Sequence, residues 1–167
     1  PGIPRPTTDK VKESVFNILQ FRLYDAAMLD LFAGTGQMGI EALSRGAARA
    51  VFVDQAPKAI GVIKKNIAAA RVEDRAEVLH MTYQQALQRL AGQQFDVLFL
   101  DPPYGGELLN SALKAVESFD ILSPDGIIIC ESSVEDSVKC PESFAVQKTY
   151  QYGTIFLTAM CRKEENS

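Results

Sequence analysis

The stretch LDLFAGTGQMG, residues 29–39, is an apolar run that leads into a turn containing three glycines. Gly34, Gly36 and Gly39 have the spacing G-x-G-x-x-G, which commonly joins the end of a strand to the beginning of a helix. Asp54 follows 20 residues after Gly34, at the end of the next apolar run. This combination predicts a βαβ unit in which the glycines let the backbone approach a ligand closely and the acid accepts hydrogen bonds from the hydroxyl groups of a ribose.

Apolar runs of strand length alternate with amphipathic runs of helix length along the chain. The runs typical of strands are 26–32, 48–54, 76–81, 95–101 and 126–132, and those typical of helices include 83–91 and 107–122. Strands joined by helices are generally parallel, so the pattern predicts an α/β fold with a doubly wound sheet. Near the end of the chain two alternating runs flank Tyr152 and Gly153, which predicts an antiparallel hairpin at the sheet edge.

A further helix is expected near the start of the chain, in the stretch RPTTDKVKESVFNILQF, residues 5–21. Asp9 is the expected N-cap, because its carboxylate can accept a hydrogen bond from a free amide of the first turn. The apolar side chains at helical spacing predict one buried face, formed by Val11, Val15, Ile18 and Leu19.

Length and composition are typical of one globular domain without a membrane segment. The chain has 167 residues, 47% of them hydrophobic, and no apolar run reaches the roughly 20 residues that span a bilayer. The cysteines Cys130, Cys140 and Cys161 lack C-x-x-C spacing, so neither a disulfide framework nor a bound metal is expected, and a reducing cytoplasm is indicated. A net charge of −4 would, taken alone, argue against a nucleic-acid partner.

Three acids, Asp30, Asp54 and Asp101, stand at the carboxyl ends of expected strands, where doubly wound sheets bind their ligands. Two cofactor classes fit the glycine turn next to them. A dinucleotide would rest its pyrophosphate on the helix N-terminus, whereas S-adenosylmethionine has no phosphate and favours an acid near its ammonium and sulfonium groups. Asp30 lies inside an apolar strand and needs a partner such as a cation if it is buried, but the glycine turn alone leaves both cofactors open.

The apolar run FDVLFL is followed by Asp101, Pro102, Pro103 and Tyr104, a segment that we call the DPPY turn. Proline carries no N–H and disfavours helical geometry in the residue before it, so this turn presents acceptors. The Asp101 carboxylate and the Pro102 carbonyl suit a planar –NH2 group, and Tyr104 provides a flat face for stacking. Acceptors that hold the amine protons turn its lone pair toward a methyl group on sulfonium, so positioning and electrostatics can supply most of the catalysis. His80 is expected to be an ordinary strand residue rather than a base.

These motifs occur in one order with RPTTDKVKESVFNIL at the start, VFVDQ in the middle and YGTIFLTAMCRK at the end. Together they resemble the bacterial small-subunit ribosomal RNA guanine-N2 methyltransferase family over nearly the whole chain. The resemblance implies a single S-adenosylmethionine-dependent domain at 1–167, with a Rossmann-like methyltransferase fold, a mostly parallel seven-stranded sheet and an antiparallel C-terminal hairpin. It also implies that a basic segment of the family precedes Pro1, which would add positive charge to an RNA-binding face.

The resemblance also implies which residues form the site. S-adenosylmethionine would contact Asp30, Phe32, Ala33, Gly34, Thr35, Gly36, Asp54, Gln55, Thr82 and Tyr83. Catalysis on the flipped guanine would involve Asp101, Pro102, Pro103 and Tyr104. The RNA, or the closed cofactor site, would be contacted by Arg5, Thr7, Thr8 and Asp9. The family usually has an Asp or Asn near the adenine where this chain has Thr82 and Tyr83, and a backbone amide could still bind the adenine edge.

The activity implied by the resemblance is methyl transfer from S-adenosylmethionine to the exocyclic N2 amine of a guanine in small-subunit ribosomal RNA. The target guanine would be flipped out of its base stack. The expected partner is ribosomal RNA, free or in an assembling small subunit, and the protein is expected to be a cytoplasmic monomer. The alternative substrates for an N-methyltransferase are an adenine of nucleic acid and a protein glutamine. A NAD-dependent oxidoreductase would leave the DPPY turn idle, and the intact strand-end acids speak against a non-catalytic RNA-binding module.

Overall fold

The computed structural model describes residues 8–103 and 105–164. Helices and strands alternate through most of this range. In chain order they are α1 (Asp9–Leu19), β1 (Ala27–Asp30), α2 (Gln37–Ser44), β2 (Arg49–Asp54), α3 (Pro57–Ala70), a 3-10 turn (Glu73–Arg75), β3 (Ala76–His80), α4 (Tyr83–Arg89), β4 (Phe95–Leu100), α5 (Gly105–Ser118), β5 (Leu122–Ser133), β6 (Phe144–Tyr152) and β7 (Ile155–Arg162). Within the described residues no helix is long and apolar enough to cross a membrane.

The strands form one seven-stranded sheet in the order β3-β2-β1-β4-β5-β7-β6. Strands β1 to β5 are mutually parallel, while β7 pairs antiparallel with both β5 and β6. The order of the strands reverses between β1 and β4, which brings the carboxyl ends of these two strands together at the place where such sheets bind ligands. The predicted fold class, a mostly parallel Rossmann-like sheet with an antiparallel C-terminal hairpin, is confirmed.

Two hydrophobic clusters cover the two faces of this sheet. One face packs against α1, α2 and α3 and includes Phe16, Phe52 and Phe99. The other face packs against α4 and α5 and includes Phe95 and Leu113. Because successive side chains of a strand point to opposite faces, each central strand contributes to both clusters. We call these the α1–α3 face and the α4–α5 face.

Two helix ends differ from the prediction. The N-cap of α1 is Thr8 and not Asp9, because the Thr8 hydroxyl accepts a hydrogen bond from the amide of Val11 at 3.4 Å. Asp9 is instead the first helical residue, where its negative charge interacts favourably with the helix dipole. The helix predicted at 107–122 is α5, Gly105–Ser118, and it ends earlier because Asp120 adopts a left-handed φ of 53°.

The strands also differ at their ends. Strand β1 is shorter than the predicted 26–32 and β3 ends one residue before the predicted 81. Strand β5 begins at Leu122, four residues before the predicted start at 126, and its pairing with β4 shifts register between Phe95 and Val97. The hairpin turn at Gly153, which has a φ of 62°, is where it was expected. Strand β7 lies between β5 and β6, so of the two hairpin strands β6 forms an edge of the sheet, and β3 forms the opposite edge.

Candidate functional site

Asp30 is the last residue of β1 and is 1% exposed. Met28 of the same strand belongs to the cluster on the α1–α3 face, so by strand alternation the Asp30 side chain faces this side as well. Neither oxygen of its carboxylate has a hydrogen-bond partner. A buried carboxylate without a donor is costly, so this position requires a cationic or hydrogen-bonding ligand to stabilise its charged form.

Burial raises the pKa of Asp30 from 3.8 to about 7. The backbone amide of Gly39 favours the charged form and offsets part of this increase, although it lies outside hydrogen-bonding geometry. The negative charge of Asp54 raises the pKa further. Near neutral pH, therefore, a cation beside Asp30 would hold the carboxylate in its charged form.

The glycine turn between β1 and α2 depends on two left-handed residues. Gly34 has a φ of 60°, and Gly36, the N-cap of α2, has a φ of 80°. Side chains rarely adopt these values, so glycine allows the chain to reverse within a few residues after Asp30. Ala33 at the start of the turn is buried, and its amide donates to the carbonyl of Val53 at 2.8 Å. The turn is thereby held against the end of β2.

Asp54 connects this turn to the loop that follows β2. One carboxylate oxygen accepts a hydrogen bond from the amide of Gly34 at 3.0 Å, and the other accepts one from the amide of Ala56 at 2.9 Å. A carboxylate oxygen can accept more than one hydrogen bond, so Asp54 retains the capacity to accept ribose hydroxyls. The half-buried side chain thus both shapes the turn and remains suited to the predicted ribose contact.

The residues expected near an adenine lie at the ends of β2 and β3. His80 forms a hydrogen bond of 3.1 Å with the carbonyl of Gln55, which ties these two strand ends together. Thr82 is the N-cap of α4. Its hydroxyl accepts a hydrogen bond from the backbone amide of Gln85, and its own backbone amide donates a hydrogen bond to the Gln85 side chain. Both groups of Thr82 are therefore engaged within the chain. The pattern T-x-x-Q at 82–85 could have identified this capping box from the sequence.

Tyr83 offers an aromatic surface at the same edge of the sheet. Its ring centre lies 5.7 Å from that of Phe32, with the ring planes tilted by 50°. Both side chains pack, partly buried, against the cluster on the α4–α5 face. Phe32 follows β1 and Tyr83 begins α4, so this pair brings together two of the predicted cofactor-binding segments.

The DPPY turn continues from the end of β4. Asp101 is half-buried, Pro102 is buried and Pro103 is exposed, while Tyr104 lies outside the described residues. Asp30 of β1 is paired with Phe99 of β4. Asp101 follows Phe99 by two residues, so its backbone lies about 7 Å further along the strand direction than that of Asp30. Phe99 faces the α1–α3 side, and continuing the alternation places Asp101 on that side too.

The predicted RNA-contacting residues fall only partly within the described structure. Arg5 and Thr7 lie outside the described residues, whereas Thr8 caps α1 and Asp9 is exposed at its first turn. Lys12 of α1 forms an ion pair of 3.1 Å with Glu41 of α2, which links the start of the chain to the helix after the glycine turn. Among the residues that the structure describes, no cluster of acids, histidines and cysteines is suited to a metal ion.

Glu131 and Ser132, near the end of β5, were missed by the sequence reasoning. Each is 8% exposed, and Glu131 Oε1 and Ser132 Oγ are enclosed without a hydrogen-bond partner. The signal for Glu131 was available, because an acid follows four apolar residues in the run IIICES just as Asp30 follows an apolar run in β1. Its significance depends on which strand lies beside β5, which the sequence pattern does not specify.

The strand order, the single antiparallel strand β7 and the acid and glycine turn after β1 define the class of Rossmann-like methyltransferases. The family model described as "Conserved hypothetical protein 95" matches residues 3–161, and the chain belongs to this family. It is the family to which proteins named ribosomal RNA small subunit methyltransferase D belong.

Three similar proteins illustrate the match. The Bacillus subtilis (strain 168) protein named "Putative rRNA methyltransferase YlbH" is 41% identical over 141 residues, which cover 83% of this chain and 76% of that protein. "Ribosomal RNA small subunit methyltransferase D" of Haemophilus influenzae is 33% identical, with 90% of this chain and 79% of that protein covered. The solved structure "Putative methyltransferase yhhF from Escherichia coli" superimposes with a TM-score of 0.87 at 29% identity, with 96% and 90% covered.

Proposed function

We propose that this protein transfers a methyl group from S-adenosylmethionine to the exocyclic N2 amine of a guanine in small-subunit ribosomal RNA. The observation that carries this proposal is the placement of two acids on neighbouring strands. Asp30, buried and without a partner, ends β1, and Asp101 begins the DPPY turn at the end of β4. A cationic methyl donor and an amine acceptor would therefore meet at one edge of the sheet, on one face.

The described residues fit S-adenosylmethionine better than a dinucleotide. Asp30 provides a buried negative charge for the ammonium and sulfonium groups, and this charge would repel a pyrophosphate. Asp54 retains acceptor capacity for the ribose hydroxyls, and the Phe32–Tyr83 pair provides an apolar surface for the adenine. When bound, the cofactor supplies an electrophilic methyl group on a sulfonium.

The DPPY turn would position the amine. We expect the Asp101 carboxylate and the Pro102 carbonyl to accept its two protons, which directs the nitrogen lone pair toward the methyl group. Pro102 is buried and has no N–H, so no backbone donor of this residue competes for the acceptors. Tyr104 is proposed to stack on the flipped base, a contact that remains a prediction because this residue lies outside the described structure.

Substitution of Asp101 tests this function. In Asp101→Ala we expect S-adenosylhomocysteine to bind as in the wild type, while methyl transfer falls about 100- to 1000-fold because one amine acceptor is lost. Transfer is measured with labelled S-adenosylmethionine on free small-subunit ribosomal RNA and on assembling subunits, and the methylated nucleotide is identified by mass mapping. The relative rates on free RNA and on assembling subunits also test which of the two is the substrate.

The matched control is Asp125→Ala. Asp125 is an exposed acid at the opposite end of β5, and its backbone carbonyl accepts a hydrogen bond from Arg22. This variant should retain full transfer. Unchanged turnover in Asp101→Ala would remove the catalytic assignment, and a methyl group mapped to adenine or to a glutamine side chain would replace guanine N2 by one of the alternative substrates.

A further inference from the structure

Glu131 lies beside the DPPY turn in the sheet. The pairing of Leu100 with Cys130 places Asp101 and Glu131 one residue further along two adjacent parallel strands. Neighbouring strands are about 4.8 Å apart, so these two residues start from adjacent backbone positions. On the other side, Glu131 pairs with Leu157 of β7, so its strand is covered from both sides.

The side chain of Glu131 faces the same side of the sheet as the site. Ile127 and Ile129 belong to the cluster on the α1–α3 face, whereas Cys130 belongs to the cluster on the other face. By strand alternation the Glu131 side chain therefore lies on the α1–α3 face, where Asp30 and Asp101 also lie. Ser132, the next residue, points to the opposite face.

Glu131 is in a position to accept a hydrogen bond from a ligand. The residue is 8% exposed, and its Oε1 is enclosed without any hydrogen-bond donor. Leaving such an oxygen without a donor costs free energy, so a ligand that brings an N–H group to it would be favoured. Since Glu131 and Asp101 start from adjacent backbone positions, we expect this donor to belong to the base held at the DPPY turn.

We propose that Glu131 accepts the N1–H of the target guanine and thereby makes the site specific for this base. This inference rests on the proposed function, because it assigns a role within the same site. The Watson–Crick edge of guanine carries three adjacent N–H protons, two on N2 and one on N1. The Asp101 carboxylate and the Pro102 carbonyl would accept hydrogen bonds from the two N2 protons, and Glu131 would accept one from the N1 proton.

The other amino-bearing bases differ at this ring position. Adenine and cytosine each carry an exocyclic amine, but the ring nitrogen beside it is an acceptor without a proton. That nitrogen would face the Glu131 oxygen, leaving two buried acceptors in contact and neither of them satisfied. The DPPY turn alone suits any such amine, so Glu131 supplies the discrimination that the turn lacks.

The test uses 2-aminopurine, which has the same exocyclic N2 amine as guanine but lacks the N1 proton. Once the methylated guanine is mapped, ribosomal RNA is prepared with guanine or with 2-aminopurine at that nucleotide. For the wild type we expect kcat/KM to be about 10- to 100-fold lower on 2-aminopurine, the range for losing a hydrogen bond to a charged group. Equal rates on the two bases in the wild type would overturn the inference without any variant.

The variant Glu131→Gln then identifies the residue responsible. Its amide can either accept from N1–H or donate to an unprotonated N1, so we expect the preference for guanine to fall to about threefold or less. Its affinity for S-adenosylhomocysteine should equal that of the wild type. Ser132→Ala, equally buried but on the opposite face, should keep the full preference.

The outcomes separate the two proposals. If Glu131→Gln binds S-adenosylhomocysteine but rejects 2-aminopurine as strongly as the wild type does, Glu131 does not recognise N1 and the inference is wrong. If the wild type places no methyl group on guanine N2 at all, the proposed function itself fails. A purely structural role of Glu131 would lower the rates on both bases equally and leave their ratio unchanged.

Discussion

At the scale of single residues, the buried acid Asp30 is the clearest sign of a ligand. Its neighbours along β1, Met28 and Leu29, are completely buried and apolar, so the strand provides no group that stabilises the charge. A protein retains such a group at a cost in stability, which is offset when a cationic ligand binds. The stability and the ligand affinity of the protein should therefore depend on pH in opposite directions.

Asp30→Asn should change the pH dependence of stability in the ligand-free protein. Because the pKa of Asp30 is about 7 when folded and 3.8 in the reference state, the folded protein binds its proton more tightly. This group therefore favours folding fully below about pH 4, and its contribution is lost as the pH rises through 7. Relative to the wild type, the unfolding free energy of Asp30→Asn should rise by about 4 kcal/mol across this window. Urea unfolding at several pH values measures this difference.

Cofactor binding provides the control for that prediction. Below pH 7 the wild type must release a proton from Asp30 to bind S-adenosylmethionine, so affinity should rise with pH and level off above 7. Calorimetry in buffers of different ionisation enthalpy detects this proton. A difference in unfolding free energy between wild type and Asp30→Asn that does not change from pH 4 to 7 would show that Asp30 is not perturbed by burial.

At the scale of elements, the glycine turn sets how closely α2 approaches β2. Gly39, in the first turns of α2, lies over the ring of Phe52, and a Cβ placed on Gly39 would come within 2.4 Å of the ring. Phe52 is completely buried, so its ring has little room to move. The third glycine of the motif therefore serves helix–strand packing, whereas Gly36 serves the left-handed turn.

Gly39→Ala should destabilise the protein by about 1–3 kcal/mol, the range for overpacking a core. Thermal or urea unfolding of the ligand-free protein measures this loss. Gly61→Ala is the matched control, because Gly61 lies in α3 and a Cβ there would meet no atom within 4 Å. That variant should gain about 1 kcal/mol from helix propensity. If both variants have the same stability, close packing at Gly39 is not what requires a glycine.

At the scale of the whole molecule, the site and the two hydrophobic clusters share one sheet. Strands β1 and β4 contribute residues to both clusters and carry Asp30 and the DPPY turn at their carboxyl ends. The pairing of these two strands holds Asp30 and the DPPY turn side by side, and a small domain of this kind usually unfolds in one cooperative step. A ligand at the strand ends should therefore stabilise the entire fold.

S-adenosylhomocysteine should raise the melting temperature of the whole domain in a single transition. At 100 times its Kd a ligand adds about 2.7 kcal/mol, which for a chain of this size corresponds to roughly 5–10 °C. Near- and far-UV circular dichroism should follow the same shifted curve, and NAD at equal concentration should cause no shift. Stabilisation by NAD but not by S-adenosylhomocysteine would overturn the cofactor assignment.

Most of the fold follows from local patterns in the sequence. The alternation of apolar strands and amphipathic helices was sufficient to predict a doubly wound sheet, and Tyr152 and Gly153 marked the hairpin. The helix at 107–122 was predicted too long because Ile121 and Leu122 continue its apolar spacing, although in the structure both are buried beyond the end of α5. Local periodicity cannot distinguish a last helical turn from the first residues of the next strand when both are apolar.

By itself, the sequence determined the class of the protein, because the glycine turn, the strand-end acids and the DPPY turn are local groups whose chemistry depends on residues close together in the chain. Only the tertiary structure decided which of these groups meet. The pairing of β4 with both β1 and β5 placed Asp101 between Asp30 and Glu131, residues that are 71 and 30 positions away from it in the chain. Pairing between distant strands depends on packing across the whole sheet, and no short stretch of sequence encodes it.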